Sequence, residues 1–180
     1  MKNLSTALLF ACALAIPVSA QDPAPKAAPS APATKEPVAP VAPSIPVSKA
    51  VLSAPFVLKD GVVSQQEKAE LAEGGKAIFT FTVAKAGDYV IHAEVNAPDE
   101  DSNSYFLNID AQPEDPLMIW DIEVTKGFES RAANWRGNGD ANTDEFTPKV
   151  FKLTAGEHKL IIVGREPGSL KSVSIRPATK

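Results

Sequence analysis

The chain has 180 residues, a formal net charge of −4, 16 prolines and a single cysteine. That length holds one domain, with room for an appendage. The acidic balance and the lack of a basic patch exclude non-specific nucleic-acid binding, which needs many Lys and Arg facing phosphates.

The N-terminus reads as a secretory signal over residues 1–20. Lys2 gives a short positive region, and Leu4 to Ile16 is apolar. That run is shorter than the roughly 20 residues a membrane-spanning helix needs. Pro17-Val18-Ser19-Ala20 then offers small residues for cleavage, with Gln21 as the mature start. No later apolar run suits a transmembrane segment, so the expected location is periplasmic, cell-surface or extracellular. Cys12 closes a loose lipobox, LFAC, but Phe10 is bulky for one and the apolar run continues past the cysteine. The reading is a cysteine lost with the signal, with lipidation as the alternative. The mature chain would then hold its fold without a disulfide.

Residues 21–50 are dominated by Pro and Ala. Proline fixes φ and lacks an N–H, so this composition predicts a disordered, extended, semi-rigid linker. A stalk and a leader with no role of its own fit that composition equally.

From Val51 to the C-terminus, residues 51–180, the pattern becomes that of short strands. Ala77, Phe79, Phe81 and Val83 alternate with Thr80 and Thr82, the period-two signature of a half-buried strand. Ala86-Gly87-Asp88 turns the chain, and Tyr89, Ile91, Ala93 and Val95 alternate with His92, Glu94 and Asn96. The two read as a hairpin. Further strands are predicted at 104–110, 117–124, 148–153, 158–163 and 170–175, and one more within 56–63. No stretch of twelve or more residues keeps a helical period. The expected fold is all-β, an antiparallel β-sandwich or barrel.

Between the strands at 117–124 and 148–153 runs GFESRAANWRGNGDANTDEF, from Gly127 to Phe146. A polar, Gly/Asn/Asp-rich loop of this length is uncommon inside a compact domain and points to function or disorder. Trp135 offers a flat face for the C–H face of a sugar, and Arg136, Asn138 and Asp140 offer donors and acceptors for hydroxyls. Against this stands a purely structural reading, with Trp135 folded over the sandwich edge and Arg136 paired to Asp140 or Asp144. Trp120 shares a strand face with Met118, Ile122 and Val124 and is assigned to the core, with Asp121 and Glu123 facing out. Asp99, Glu100, Asp101 and Asn103 make an oxygen-rich loop suited to calcium, and Asp99 and Asp101 are the candidate ligands. A solvated acidic loop has the same composition. Arg165 is assigned a structural ion pair, with Asp110 or Asp121 as partner.

Several runs, in order, resemble a known domain type: GGKAIFTFTV from Gly74, AGDY from Ala86, SNSYFLNID from Ser102, LTAGEHKL from Leu153 and GREPG from Gly164. Together they resemble the galactose-binding-like jelly rolls, in particular carbohydrate-binding modules of families 6 and 35, over roughly residues 51–176. The resemblance implies a jelly roll and a glycan or polysaccharide ligand. It also implies a sugar-facing loop aromatic upstream of the Leu153 turn, a position Trp135 matches. In this family an Asn near the last strand completes the site, whereas Ser169-Leu170-Lys171 stands there in this chain. The family also carries a structural calcium, and Glu67, Glu70 and Glu73 lie near the start of the domain.

No Ser-His-Asp order, His/Cys metal spacing, phosphate loop or singled-out carboxylate pair occurs, so the reading is non-catalytic. The alternative to a sugar-binding module is a structural or protein-interaction sandwich of the cell envelope, its partner an envelope protein. Fold resemblance leaves these two open.

Overall fold

The computed structural model describes residues 43–138 and 146–179. The expected signal and most of the expected linker lie outside them. The chain divides into Met1–Val38 and Ala39–Lys180, and every described residue belongs to the second unit.

Among the described residues, twelve strands form two antiparallel sheets. The seven-stranded sheet contains β1 (Ile45–Pro46), β3 (Val57–Lys59), β4 (Val62–Ser64), β6 (Gly87–Asn96), β9 (Glu129–Ala132), β10 (Val150–Leu153) and β12 (Ser169–Pro177). Its order is β10-β6-β12-β4-β3; β9 adds to the β10 side of β6, and β1 to the β4 side of β12. The five-stranded sheet contains β2 (Val51–Leu52), β5 (Lys76–Val83), β7 (Ser104–Ile109), β8 (Ile119–Asp121) and β11 (Gly156–Gly164), in the order β2-β5-β11-β7-β8.

Side-chain alternation sets which face of each strand points inward. Ala77, Phe79, Phe81 and Val83 of β5 and Ile91, Ala93 and Val95 of β6 are buried in one core between the sheets, with Leu160, Ile162, Val173 and Ile175 opposite. The β3–β4 hairpin closes through Asp60-Gly61, both at positive φ (52° and 76°), the requirement of a two-residue turn that follows the strand twist.

The outer faces of the two sheets differ. On the five-stranded sheet, Phe106, Ile119, Ile161 and Val163 form a second apolar cluster, extended by Ile78 of β5 and covered by Leu71. This explains why β7 is buried at every residue. The covering segment packs close: a Cβ on Gly74 would lie 2.1 Å from the Gly164 carbonyl oxygen, so only glycine fits there. No apolar cluster covers the outer face of the seven-stranded sheet among the described residues.

Three details depart from sequence expectation. Ile45–Lys49, part of the stretch assigned to the linker, form β1 and a 3-10 turn, and Val47 is fully buried. The segment from Gly127 to Phe146 carries a strand, because Glu129–Ala132 pair with Val95–His92 of β6. Asp121, expected to face out, is buried at 6% exposure.

Candidate functional site

Asp121 is buried because the chain after β9 folds back onto it. The Asn134 side chain makes both hydrogen bonds to the Asp121 backbone, donating from Nδ2 to the carbonyl at 2.7 Å and accepting the N–H at 3.0 Å. Arg136 then grips the Asp121 carboxylate with two donors, Nε to Oδ2 at 2.9 Å and Nη2 to Oδ1 at 2.6 Å. Such a forked pair fixes orientation as well as charge. Arg136 is thus anchored on Asp121.

Between these anchors sits Trp135, half-buried against the core. Its indole N–H donates to the Leu107 carbonyl at 2.8 Å. Its ring meets Phe151 edge-on, with centroids 5.6 Å apart at 89°. The Lys149 ammonium lies 4.1 Å from the ring centroid, a cation–π contact. The same ammonium lies 3.5 Å from Asn138 Oδ1. The structure therefore brings Trp135, Arg136 and Asn138 into one rigid turn and adds Lys149, which sequence reasoning missed. Nothing in the sequence around Lys149 marks it out; it reaches the ring because its backbone N–H binds the Ala133 carbonyl. Asp140 lies outside the described residues.

Beside this turn is a cavity of about 220 Å³, lined in part by Asp121, Glu123, Arg131, Asn134 and Phe146. Arg131 pairs with Glu129 at 2.9 Å. Its Nε, 3.9 Å from Glu123 Oε2, is buried with no hydrogen-bond partner among the described residues. A buried donor without a hydrogen bond is costly, and here the Glu123 charge nearby offsets part of that cost.

A second concave surface, of about 410 Å³, lies on the open face of the seven-stranded sheet. The β9-β6-β12 register lays out two rows across it, Ser130–Glu94–Ser172 and Ala132–His92–Ser174. Glu94 pairs with Lys171 at 3.2 Å, and Arg176 Nε donates to Ser174 Oγ at 3.1 Å. Partial burial, then the nearby Arg176 charge, hold His92 below the usual imidazole range, so it is neutral at pH 7.

Asp99 and Asp101 are exposed, in the β6–β7 loop, where Asp99 Oδ1 accepts the Asp101 N–H at 3.2 Å. Among the described residues, no three acidic or His side chains converge as a metal group.

Arg165 pairs with neighbouring Glu166, not with Asp110 or Asp121. Glu166 is buried and also accepts the Ser104 hydroxyl at 2.6 Å. Burial opposes its ionisation, but the Ser104 hydrogen bond, the Arg165 and Lys68 charges and the Asn103 N–H outweigh it and keep the carboxyl below its usual range. This network ties the start of β7 to the β11–β12 turn and is structural.

The sequence matches no family model and no curated protein. Among solved structures, a family 35 carbohydrate-binding module from Clostridium thermocellum aligns at TM-score 0.53 and 9% identity, over 75% of this chain and 97% of that one. The C-terminal family 6 module of a marine laminarinase from Zobellia galactanivorans aligns at 0.50 and 11%, over 74% and 97%. The GH26-CBM35 β-(1,4)-mannanase of Podospora anserina aligns at 0.53 and 14%, over 78% of this chain, which spans 28% of the mannanase. Identities this low speak for fold alone, and among the described residues no helix is long and apolar enough to cross a membrane. The chain has the jelly-roll β-sandwich fold of family 35 and family 6 carbohydrate-binding modules.

Proposed function

We propose that this is an exported, non-catalytic carbohydrate-binding module whose glycan ligand rests against Trp135. The observation that carries the reading is the state of that ring: locked by its N–H bond and by Phe151, half-buried, and overlain by the flexible side chain of Lys149. A plate immobilised in advance loses little conformational entropy when a sugar stacks on it. Swinging aside, Lys149 would expose the ring and donate to hydroxyls, with Arg136 and Asn138 around it.

The test is retention of the full chain on a panel of insoluble polysaccharides and a glycan array, with Trp135→Ala beside the wild type. At least one glycan is expected to bind, and the variant to lose it. No glycan bound by the wild type, or undiminished binding by a folded Trp135→Ala protein, overturns the proposal.

One observation favours a second reading, a protein-interaction sandwich of the envelope. The 410 Å³ groove on the open sheet is lined by serines together with His92, Glu94 and Arg176, and no Trp, Tyr or Phe is among its described lining residues. A wild type that ignores all glycans, but whose capture of an envelope protein is lost on Ser172→Arg, would establish it.

A further inference from the structure

His158, near the start of β11, is buried, and both of its ring nitrogens face oxygen acceptors. Nδ1 lies 2.6 Å from Asp110 Oδ2, and Nε2 lies 2.9 Å from the Thr154 carbonyl oxygen. Neither oxygen has a proton to give while Asp110 is ionised. A neutral imidazole carries one N–H, so it satisfies one contact and sets lone pair against lone pair in the other; an imidazolium satisfies both.

The two contacts join separate parts of the fold. Asp110 follows β7 in a left-handed conformation, φ 60°, which non-glycine residues adopt only when their surroundings hold them there. Its Oδ1 accepts the Lys159 N–H at 2.8 Å, and its own N–H donates to the Lys159 carbonyl at 2.8 Å. Thr154 opens the β10–β11 turn, which is made through Gly156 at φ 131°. The His158 ring therefore pins that turn to the corner after β7.

The electrostatic surroundings are simple. Asp110 is the acid acting on His158, and Lys159 is the cation acting on Asp110. From β5 the packed neighbour is Phe81, ring centroid 5.7 Å away and uncharged. The hairpin turn presents the uncharged Thr154 carbonyl.

We propose that His158 is an imidazolium in the folded domain and serves as a proton-operated latch, whose deprotonation frees the β10–β11 turn from the corner after β7. Consistent with the geometry, the Asp110 and Thr154 hydrogen bonds raise the His158 pKa above its ordinary 6.5 despite burial. Asp110 is lowered, because slight desolvation is outweighed by His158 and Lys159. A raised imidazole stabilises the fold fully below pH 6.5 and ceases to as pH rises through its folded value; a lowered carboxyl stabilises above 3.8 and ceases to as pH falls through its folded value. The latch is thus strongest between pH 3.8 and 6.5.

The chain has two histidines, His92 and His158, so both can be titrated by NMR in the full chain. The expected result is a His158 midpoint above 6.5 and a His92 midpoint below it. Thermal unfolding followed from pH 5 to 9 should show the wild type losing about 3 °C relative to His158→Gln as pH rises. Amide protection factors at Asp110 and Lys159, with the intrinsic pH dependence of exchange divided out, should fall over the same range. If His158→Gln fails to fold, Asp110→Asn takes its place and should lower the His158 midpoint. A His158 midpoint at or below 6.5, or parallel stability profiles for wild type and variant, overturns the latch.

Discussion

Trp120 and Trp135 both give their indole N–H to a backbone carbonyl, Trp120 to Ala132 at 3.1 Å and Trp135 to Leu107 at 2.8 Å. There the likeness ends. Trp120 is fully buried, packed on Tyr105 with ring centroids 5.8 Å apart. Trp135 stands at the rim of the same core, one edge on Phe151 and a lysine ammonium over its ring. A buried donor must find a partner wherever it lies, so the N–H bond does not separate a core ring from a binding ring. What separates them is what covers the face: hydrocarbon in one case, a long, displaceable cation in the other.

The sharpest way to break the comparison is to truncate both rings. Trp120→Ala should cost about 4 kcal/mol, the range for a large aromatic removed from a closed core, and should lower the denaturant midpoint accordingly. Trp135→Ala should cost roughly 2 kcal/mol, because its ring is only partly buried and the lost indole hydrogen bond adds only part of the total. It should also abolish glycan retention. Equal losses of stability would mean that Trp135 is a core residue like Trp120 and would remove the distinction.

A smaller effect tests the scaffold beneath Trp135. Arg136→Met leaves the buried Asp121 carboxylate without its forked partner. Such breaks are expensive deep in a core, but Arg136 is 44% exposed, which lets water replace much of the loss. The expected cost is about 1 kcal/mol, read by urea unfolding. Asp121→Asn should cost about the same if the pair acts as a unit.

The two rings also show how far the sequence could be read. β5 and β6 were legible because hydrophobic residues alternate along them, and Trp120 was legible as core because its apolar neighbours share its strand. Trp135 stood out as an aromatic in a polar loop, which located the candidate turn. The rest depends on contacts between distant residues. Asp121 looked like an outward strand position, and nothing nearby in sequence revealed that Asn134 and Arg136 would fold over it. β9 was missed because Glu-Ser-Arg-Ala has neither alternation nor β-branched residues; it is a strand only because β6 offers it an open edge. Likewise Ile45 and Pro46 read as linker by composition, yet pair with the edge of β12.

Lys149→Met gives the finest test. The change keeps a long, flexible stem and removes the charge above the indole. A partly buried cation–π contact is worth about 1 kcal/mol, and an apolar methionine thioether against the ring recovers part of that, so stability should shift by less than about 1 kcal/mol. Binding should respond differently. If the ammonium serves as a hydroxyl donor once displaced, Lys149→Met should weaken glycan retention several-fold while the unfolding curve barely moves, a separation that no purely structural role for Lys149 produces. If the ammonium only shields the ring in the free protein, its loss should strengthen retention, because less energy is then needed to uncover the face. Unchanged retention by a folded Lys149→Met protein would mean that the ligand does not meet this face of Trp135, and it would shift the candidate contact to the cavity beside Arg131.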